Sequence, residues 1–334
     1  MSAPRPRLAR FLDDAYRSWS AEPMTGDAST RRFWRIRAPS GATRVVMDYG
    51  APFAGDPDDV ALGAIFREAG LRIAEVERVA PDVGCLVLED LGDRTFETAV
   101  REHRADGRSI EPLYDAAVDL AARVATTGTV ALERSGRAAG PALDPTRFRF
   151  EMDFFVEHFV EGWLGAEAGN GLRREVRDLA ERAAQASRRR VLCHRDYHAR
   201  NLMVLADGGL AMVDIQDARW GPDTYDLASL LRDAYVDFEP AIVRRGLERY
   251  RAAVFPDDEP EQLLTRFELV SLQRMVKALG TFGYQATVRD NPAYLEAVPR
   301  TVGRILLLRA RVPAYPTLNG LLATVPERKG TFLF

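Results

Sequence analysis

The residue types able to do chemistry crowd into one stretch, 191–217, VLCHRDYHARNLMVLADGGLAMVDIQD. Three short apolar runs, 191–193, 202–205 and 210–213, alternate with polar segments, and Asp207-Gly208-Gly209 between the last two is a hairpin turn signal. His194, Arg195, Asp196, His198, Arg200 and Asn201 therefore fall on a loop at a strand end, with Asp214 and Asp217 one hairpin later. Loops pinned by a rigid scaffold are where reactive groups concentrate. Asp196 offers a carboxylate able to take a proton; Asn201 and Asp214 offer oxygen ligands. That set suits magnesium-assisted phosphoryl transfer, because Mg²⁺ prefers oxygen, takes few protein ligands and shares its shell with substrate phosphates.

Two other readings use the same residues. His194 and His198, four apart, have the spacing of a helical zinc pair, but Arg195 stands where H-E-x-x-H needs its glutamate. Alternatively the charges form a solvated loop with turn-forming Asp and Asn.

The elements around this stretch fall into two groups. Residues 8–19 place Leu8, Phe11, Leu12, Ala15 and Trp19 at helical spacing. Next come a small polar loop at 26–30, alternation at 33–37, a turn at Ser40-Gly41 and a strand at 43–49. The loop's Gly26, Ser29 and Thr30 are suited to laying backbone N–H groups over phosphates, and an ordinary hairpin fits them equally. A helix at 58–69 and strands at 73–79 and 84–88 complete a small, mostly antiparallel lobe, closed by an acidic joint at 89–93. From there the pattern is mostly helical. Asp144-Pro145 caps a long helix running past Trp163, Gly221-Pro222 reads as a break, and the tail from Pro313 reads as an irregular surface wrap.

At 334 residues the chain exceeds the size at which one core usually splits, so two lobes are expected. A net charge of −3 gives no reason to expect nucleic acid or an anionic membrane as partner. No apolar run approaches a membrane span, and Cys85 and Cys193 sit in strand-like apolar runs as core thiols of a reducing compartment. The expected location is cytoplasmic; the oligomeric state is not written in the sequence.

With these residues assembled, the chain resembles the aminoglycoside phosphotransferase-type branch of the protein-kinase-like fold. The resemblance rests on HRDYHARN at 194–201, in the spacing of the kinase catalytic loop, VDIQD at 213–217, YDLASLL at 225–231 and the hinge-like LVLEDLGD at 86–93. Within that branch, residues 26–38, 45–50, 215–233 and 272–280 are similar to the bacterial anomeric sugar kinases that phosphorylate N-acetylmuramate and N-acetylglucosamine in peptidoglycan recycling. The resemblance implies an α+β, bilobal fold: an antiparallel-sheet nucleotide lobe over 1–91 and a larger, mainly helical lobe over 92–334 carrying the acceptor site. It implies ATP and Mg²⁺, Asp196 as catalytic base, Asn201 and Asp214 as metal ligands meeting in a cleft between the lobes, and backbone of Glu89 and Leu91 against adenine. Asp226 is implied to hydrogen-bond back to the loop of His194 and hold its shape; a helix-start aspartate favoured by the macrodipole fits it equally.

One departure stands out. The third strand of a kinase carries a phosphate-binding lysine, and VVMDYG offers Met47 or Asp48 instead; the chain's two lysines are Lys277 and Lys329. Arg31 or Arg32, beside the polar loop, is the expected substitute, since guanidinium binds phosphate bidentately. Glu68 would be the helix partner of such a third-strand lysine. On the acceptor side, Arg274 and Lys277 are candidates for meeting the sugar, Arg274 through a carboxylate such as a lactyl group. The unremarkable reading of both is a solvated helix face. Kinases of aminoglycosides, choline or homoserine, and a catalytically dead kinase fold used as a binding module, remain the alternatives.

Overall fold

The alternation around residue 34 becomes strand β2 of an antiparallel five-stranded sheet. Its members are β1 (Ser20–Met24), β2 (Arg32–Arg37), β3 (Thr43–Asp48), β4 (Val76–Ala80) and β5 (Cys85–Glu89), in the spatial order β1-β2-β3-β5-β4. Trp34 and Ile36 of β2 point to one face, where they meet Val46, Cys85 and Val87 and the apolar stripe Leu8, Phe11 and Leu12 of helix α1 (Pro6–Ala15). Each such side chain contributes roughly 1.5–3 kcal/mol on burial. Helix α1 ends at Ala15, earlier than its apolar spacing suggests, and Ser20–Met24 pairs with β2 as an edge strand. Helix α2 (Asp58–Glu68) lies between β3 and β4 in the chain. The computed structural model describes residues 4–24, 31–137, 142–236, 239–308 and 311–325.

The chain divides into two compact units, Met1–Arg94 with Met203–Gln216, and Thr95–Leu202 with Asp217–Phe334. The first unit thus takes in a hairpin that the sequence reading assigned to the second lobe. Strands β7 (Leu202–Val204) and β8 (Leu210–Met212) form that hairpin, and it is fastened to the first unit where Met212 donates to the Arg72 carbonyl at 2.9 Å. Gly208 takes φ +84° at its tip, a value only the turn's glycine adopts without strain.

The second unit holds helices α3 (Phe96–Ala105), α4 (Glu111–Arg123), α5 (Thr129–Ser135), α6 (Pro145–Phe155), α7 (Asn170–Gln185), α8 (Tyr225–Leu231), α9 (Pro240–Val254), α10 (Pro260–Thr287), α11 (Val298–Leu308) and α12 (Pro316–Ala323). Asp144 caps α6 by accepting from the Arg147 N–H at 2.8 Å, with Pro145 in the first turn. The expected long helix does not stay α-helical: Val156–Trp163 winds as a π-helix. The 28-residue α10, opened by a reciprocal Glu259–Gln262 capping box, packs against α6, the π segment, α7, α8, α9 and α11.

Two further expectations are corrected. Arg219–Pro222 forms strand β9, paired with β6 (Arg190–Cys193), because Gly221 lets the chain press on Cys193 where any Cβ would meet its sulfur. The tail is not irregular throughout, since Leu318 and Leu322 of α12 are fully buried.

Candidate active site

Loop 194–201 leaves the end of β6 and is tied down from every side within its own unit. Thr129 of α5 accepts the Leu192 N–H at 2.8 Å, and the Tyr197 hydroxyl donates to the Ala117 carbonyl of α4 at 2.8 Å. The Asp226 carboxylate of α8 accepts both the His194 N–H (2.6 Å) and the Arg195 N–H (2.9 Å). The hydrogen bonds expected of Asp226 are therefore present. Arg195 itself sits at φ +80°, a left-handed conformation that costs a non-glycine residue roughly 1–3 kcal/mol and persists only when surroundings over-determine it. Those surroundings are the two N–H bonds to Asp226 and the Arg274 guanidinium, which donates to the Arg195 carbonyl at 2.8 Å.

The purpose of this bracing is visible at Asp196. Its carboxylate lies 3.5 Å from the Lys277 ammonium and 4.0 Å from the Arg195 guanidinium, with 24% of the side chain still accessible. Burial pushes the carboxyl up, but the charges of Lys277, Arg195 and Arg274 outweigh it and hold the group well below the usual carboxylate range. Asp196 is thus ionised and reachable. Lys277 pays for this in burial, which lowers its own proton affinity against the opposing pull of Asp196. Asn201 turns its amide nitrogen to the Asp196 carbonyl at 3.0 Å, which leaves its side-chain oxygen as the free donor atom for a cation. His198 is pushed down to about 3 by burial and is neutral, packed edge-on to Tyr235. His194 and His198 lie on this loop rather than on a helix, so the zinc spacing has no helical face to act on.

Arg274 is placed differently from its sequence-based role. One terminal nitrogen holds the Arg195 carbonyl and the other the Ser229 hydroxyl at 2.7 Å, so the guanidinium braces the loop instead of offering itself to a carboxylate. Sequence reasoning missed Glu151. It is buried, accepts from the Gln273 side-chain amide at 2.9 Å and lies 3.8 Å from Arg195. A charged residue inside an apolar helical stripe was the available signal.

Asp233 is a second brace, accepting from Ala199 N–H (2.7 Å) and Tyr235 N–H (2.8 Å). Burial pushes its carboxyl up to about 6 against the opposing effect of those N–H donors. The folded value exceeds the unfolded one of about 3.9. Its contribution is therefore complete below pH ~4 and is lost as pH rises through ~6, by up to roughly 3 kcal/mol. Asp233→Asn is expected to destabilise at pH 4, with the gap to wild type narrowing by pH 7 in paired melting curves. A gap independent of pH would contradict this assignment.

In the other unit, Arg31 links the third strand, α2 and Asp214. Its guanidinium donates to both carboxylate oxygens of Asp59 (3.2 and 3.1 Å), to Asp214 (3.1 Å) and to the Met47 sulfur (3.5 Å), which is the third-strand position. Its helix partner is Asp59, in the first turn of α2 and also bound by the Tyr49 hydroxyl. Glu68 is an exposed residue at the far end of α2, so it does not fill that role. Arg32 is exposed at the start of β2. Gly26, Ser29 and Thr30 lie outside the described residues. Asp214 takes φ +65°, the same strained class as Arg195, and its half-open carboxylate is steadied by Gln216 at 2.7 Å. Oxygen donors of this kind fit Mg²⁺.

The joint at 89–93 is fixed by two arginines. Arg72 grips Glu89, and Arg35 forms a two-pronged bond with Asp90 (2.7 and 2.9 Å) while reaching Asp93. Leu91 lies between these anchors in the chain.

Residues 20–264 match the phosphotransferase enzyme family. An N-acetylmuramate/N-acetylglucosamine kinase of Pseudomonas aeruginosa is 31% identical over 91% of this chain and 88% of its own length. The protein of the same name from Neisseria meningitidis is 29% identical over 95% and 94%. Among solved structures, a Plasmodium vivax ethanolamine kinase superposes with a TM-score of 0.65 at 11% identity, covering 91% of this chain and 88% of that one. An ADP-bound aminoglycoside phosphotransferase gives 0.57 at 12% identity, over 89% and 97%. The α+β fold is protein-kinase-like, and the chain belongs to the phosphotransferase enzyme family.

Proposed function

We propose that this chain is an ATP- and magnesium-dependent kinase that phosphorylates the anomeric hydroxyl of N-acetylmuramate or N-acetylglucosamine in peptidoglycan recycling, in the cytoplasm. The observation that carries the reading is the 31% identity to a kinase of that name over 91% of the chain. The ionised, accessible Asp196 supports it chemically. In the proposed reaction Asp196 accepts the proton of the sugar hydroxyl, the hydroxyl oxygen forms a bond to the γ-phosphorus, and the bond from that phosphorus to the β-phosphate oxygen breaks to release ADP. Such a site does little covalent work; position and charge carry the rate.

Asn201 and Asp214 would hold Mg²⁺, which when bound offsets phosphate charge. Glu89 and Leu91 would offer backbone to adenine. Lys277 keeps Asp196 charged and adds a cation beside the transferring group. The cysteines are free and buried, in keeping with a reducing compartment, and among the described residues no helix is long and apolar enough to cross a membrane.

Arg31 supplies the charge that the third strand lacks. Arg31→Ala is expected to raise the KM for ATP about tenfold or more, the scale of one charge-assisted hydrogen bond. Glu68→Ala is expected to change it little. Equal KM values for wild type and Arg31→Ala would remove Arg31 from the nucleotide site.

The test of the whole reading is magnesium-dependent ADP release with N-acetylmuramate, N-acetylglucosamine, choline, homoserine and kanamycin as acceptors. Turnover confined to the amino sugars is the expected result. Nucleotide binding without turnover of any acceptor would favour a binding module instead.

A further inference from the structure

From Lys277, beside Asp196, two helices of the same unit run on together. On α10, Arg274, Lys277, Thr281 and Tyr284 recur at helical spacing and are all part-exposed, while the residues between them are mostly buried. Helix α6 and its π-helical continuation run alongside in the same direction: Glu151 bonds Gln273, Gly280 lies where a Cβ would come within 2.8 Å of Phe155 Cα, and Gly283 faces the His158 carbonyl. Glycine is required at both positions because backbone meets backbone.

One end of this run is Lys277, 3.5 Å from Asp196. The other end, two helical turns or about 10 Å further along α10, is aromatic. Phe154 and His158 have ring centroids 4.2 Å apart, and Tyr284 lies 5.3 and 5.0 Å from them. These rings are not core: all three are part-exposed, and neighbouring Phe150, 6.2 Å from Phe154, is 56% exposed. The π-helical winding of Val156–Trp163 changes the direction in which His158 projects relative to a continuous α-helix, a distortion frequent at functional sites.

We propose that Phe154, His158 and Tyr284 form the binding shelf for the acceptor sugar, stacking on its apolar C–H face while the anomeric hydroxyl lies at Asp196. This rests on the amino-sugar reading above. A pyranose offers what the shelf asks for: a reactive hydroxyl at one end, an apolar face, and a polar rim.

The test is steady-state kinetics with ATP and N-acetylglucosamine on the full chain. Phe154→Leu and Tyr284→Leu are each expected to raise the KM for the sugar about tenfold, with kcat and the KM for ATP little changed, as for loss of one aromatic stacking partner. Tyr284→Phe, which keeps the ring, should stay near wild type. In wild type, saturating the aromatic protons should transfer magnetisation to the sugar ring protons in difference NMR, a readout independent of any variant's folding. Unchanged KM in the leucine variants, or no transfer in wild type, overturns the shelf while leaving the kinase reading intact. Failure of wild type to turn over any N-acetylated amino sugar overturns the reading, and the shelf as a sugar site with it.

Discussion

Asp196→Asn is expected to cut turnover by about 10²–10⁴-fold, the usual worth of a positioned general base. Affinity for ADP should stay close to that of wild type, since no role in nucleotide binding is assigned to this side chain. The reason is specific to the geometry. The carboxylate is held ionised by Lys277 and Arg195 and remains open to a hydroxyl, so its charge and its lone pairs both face the reaction. Asparagine keeps the shape but loses the charge and the basicity, because its one remaining oxygen does not take up the proton. Initial-rate assays with saturating ATP, beside a titration with ADP, separate the two effects. Turnover within a few-fold of wild type would move the base elsewhere.

The second large effect is expected at a residue that touches no substrate. Asp226→Ala leaves the His194 and Arg195 N–H groups buried without their acceptor, at about 1–3 kcal/mol each. It also unties a residue already strained at φ +80°. A loss of roughly 2–6 kcal/mol in denaturant unfolding is therefore expected, with turnover falling as the loop loses its shape. Asp226→Asn keeps one acceptor oxygen and should recover part of the stability. If Asp226 mattered only as a charge at the start of α8, both variants would cost under about 1 kcal/mol and turnover would survive. That outcome would reduce it to a helix-dipole residue.

The loop was legible in the sequence because its chemistry is local. Asp196 and Asn201 are five residues apart, and the hairpin that carries Asp214 announces itself by Asp207-Gly208-Gly209. The tie from Asp226 was legible only through the family resemblance, since thirty-odd residues separate it from the bonds it accepts. Pairings set by packing were not legible. Nothing in the spacing of α2 distinguishes Asp59 from Glu68 as partner of a distant arginine; which end of the helix faces β3 decides that, and it decides for Asp59. The sequence likewise showed Arg274 as a polar group on an otherwise apolar helix without saying what stood opposite, and the Arg195 carbonyl and Ser229 took its donors. β9 was hidden because Gly-Pro usually ends an element. Here the glycine permits close approach to Cys193, and Pro222, at the end of β9, does not interrupt the pairing.

The most direct measurement of the central claim is the position of the phosphate on the product. Wild-type protein, ATP, Mg²⁺ and N-acetylglucosamine should give a proton-coupled ³¹P signal split by the single H1 proton, and Asp196→Asn should give almost none. A phosphoryl signal coupled to the two H6 protons, or no phosphorylated amino sugar at all, would contradict the account.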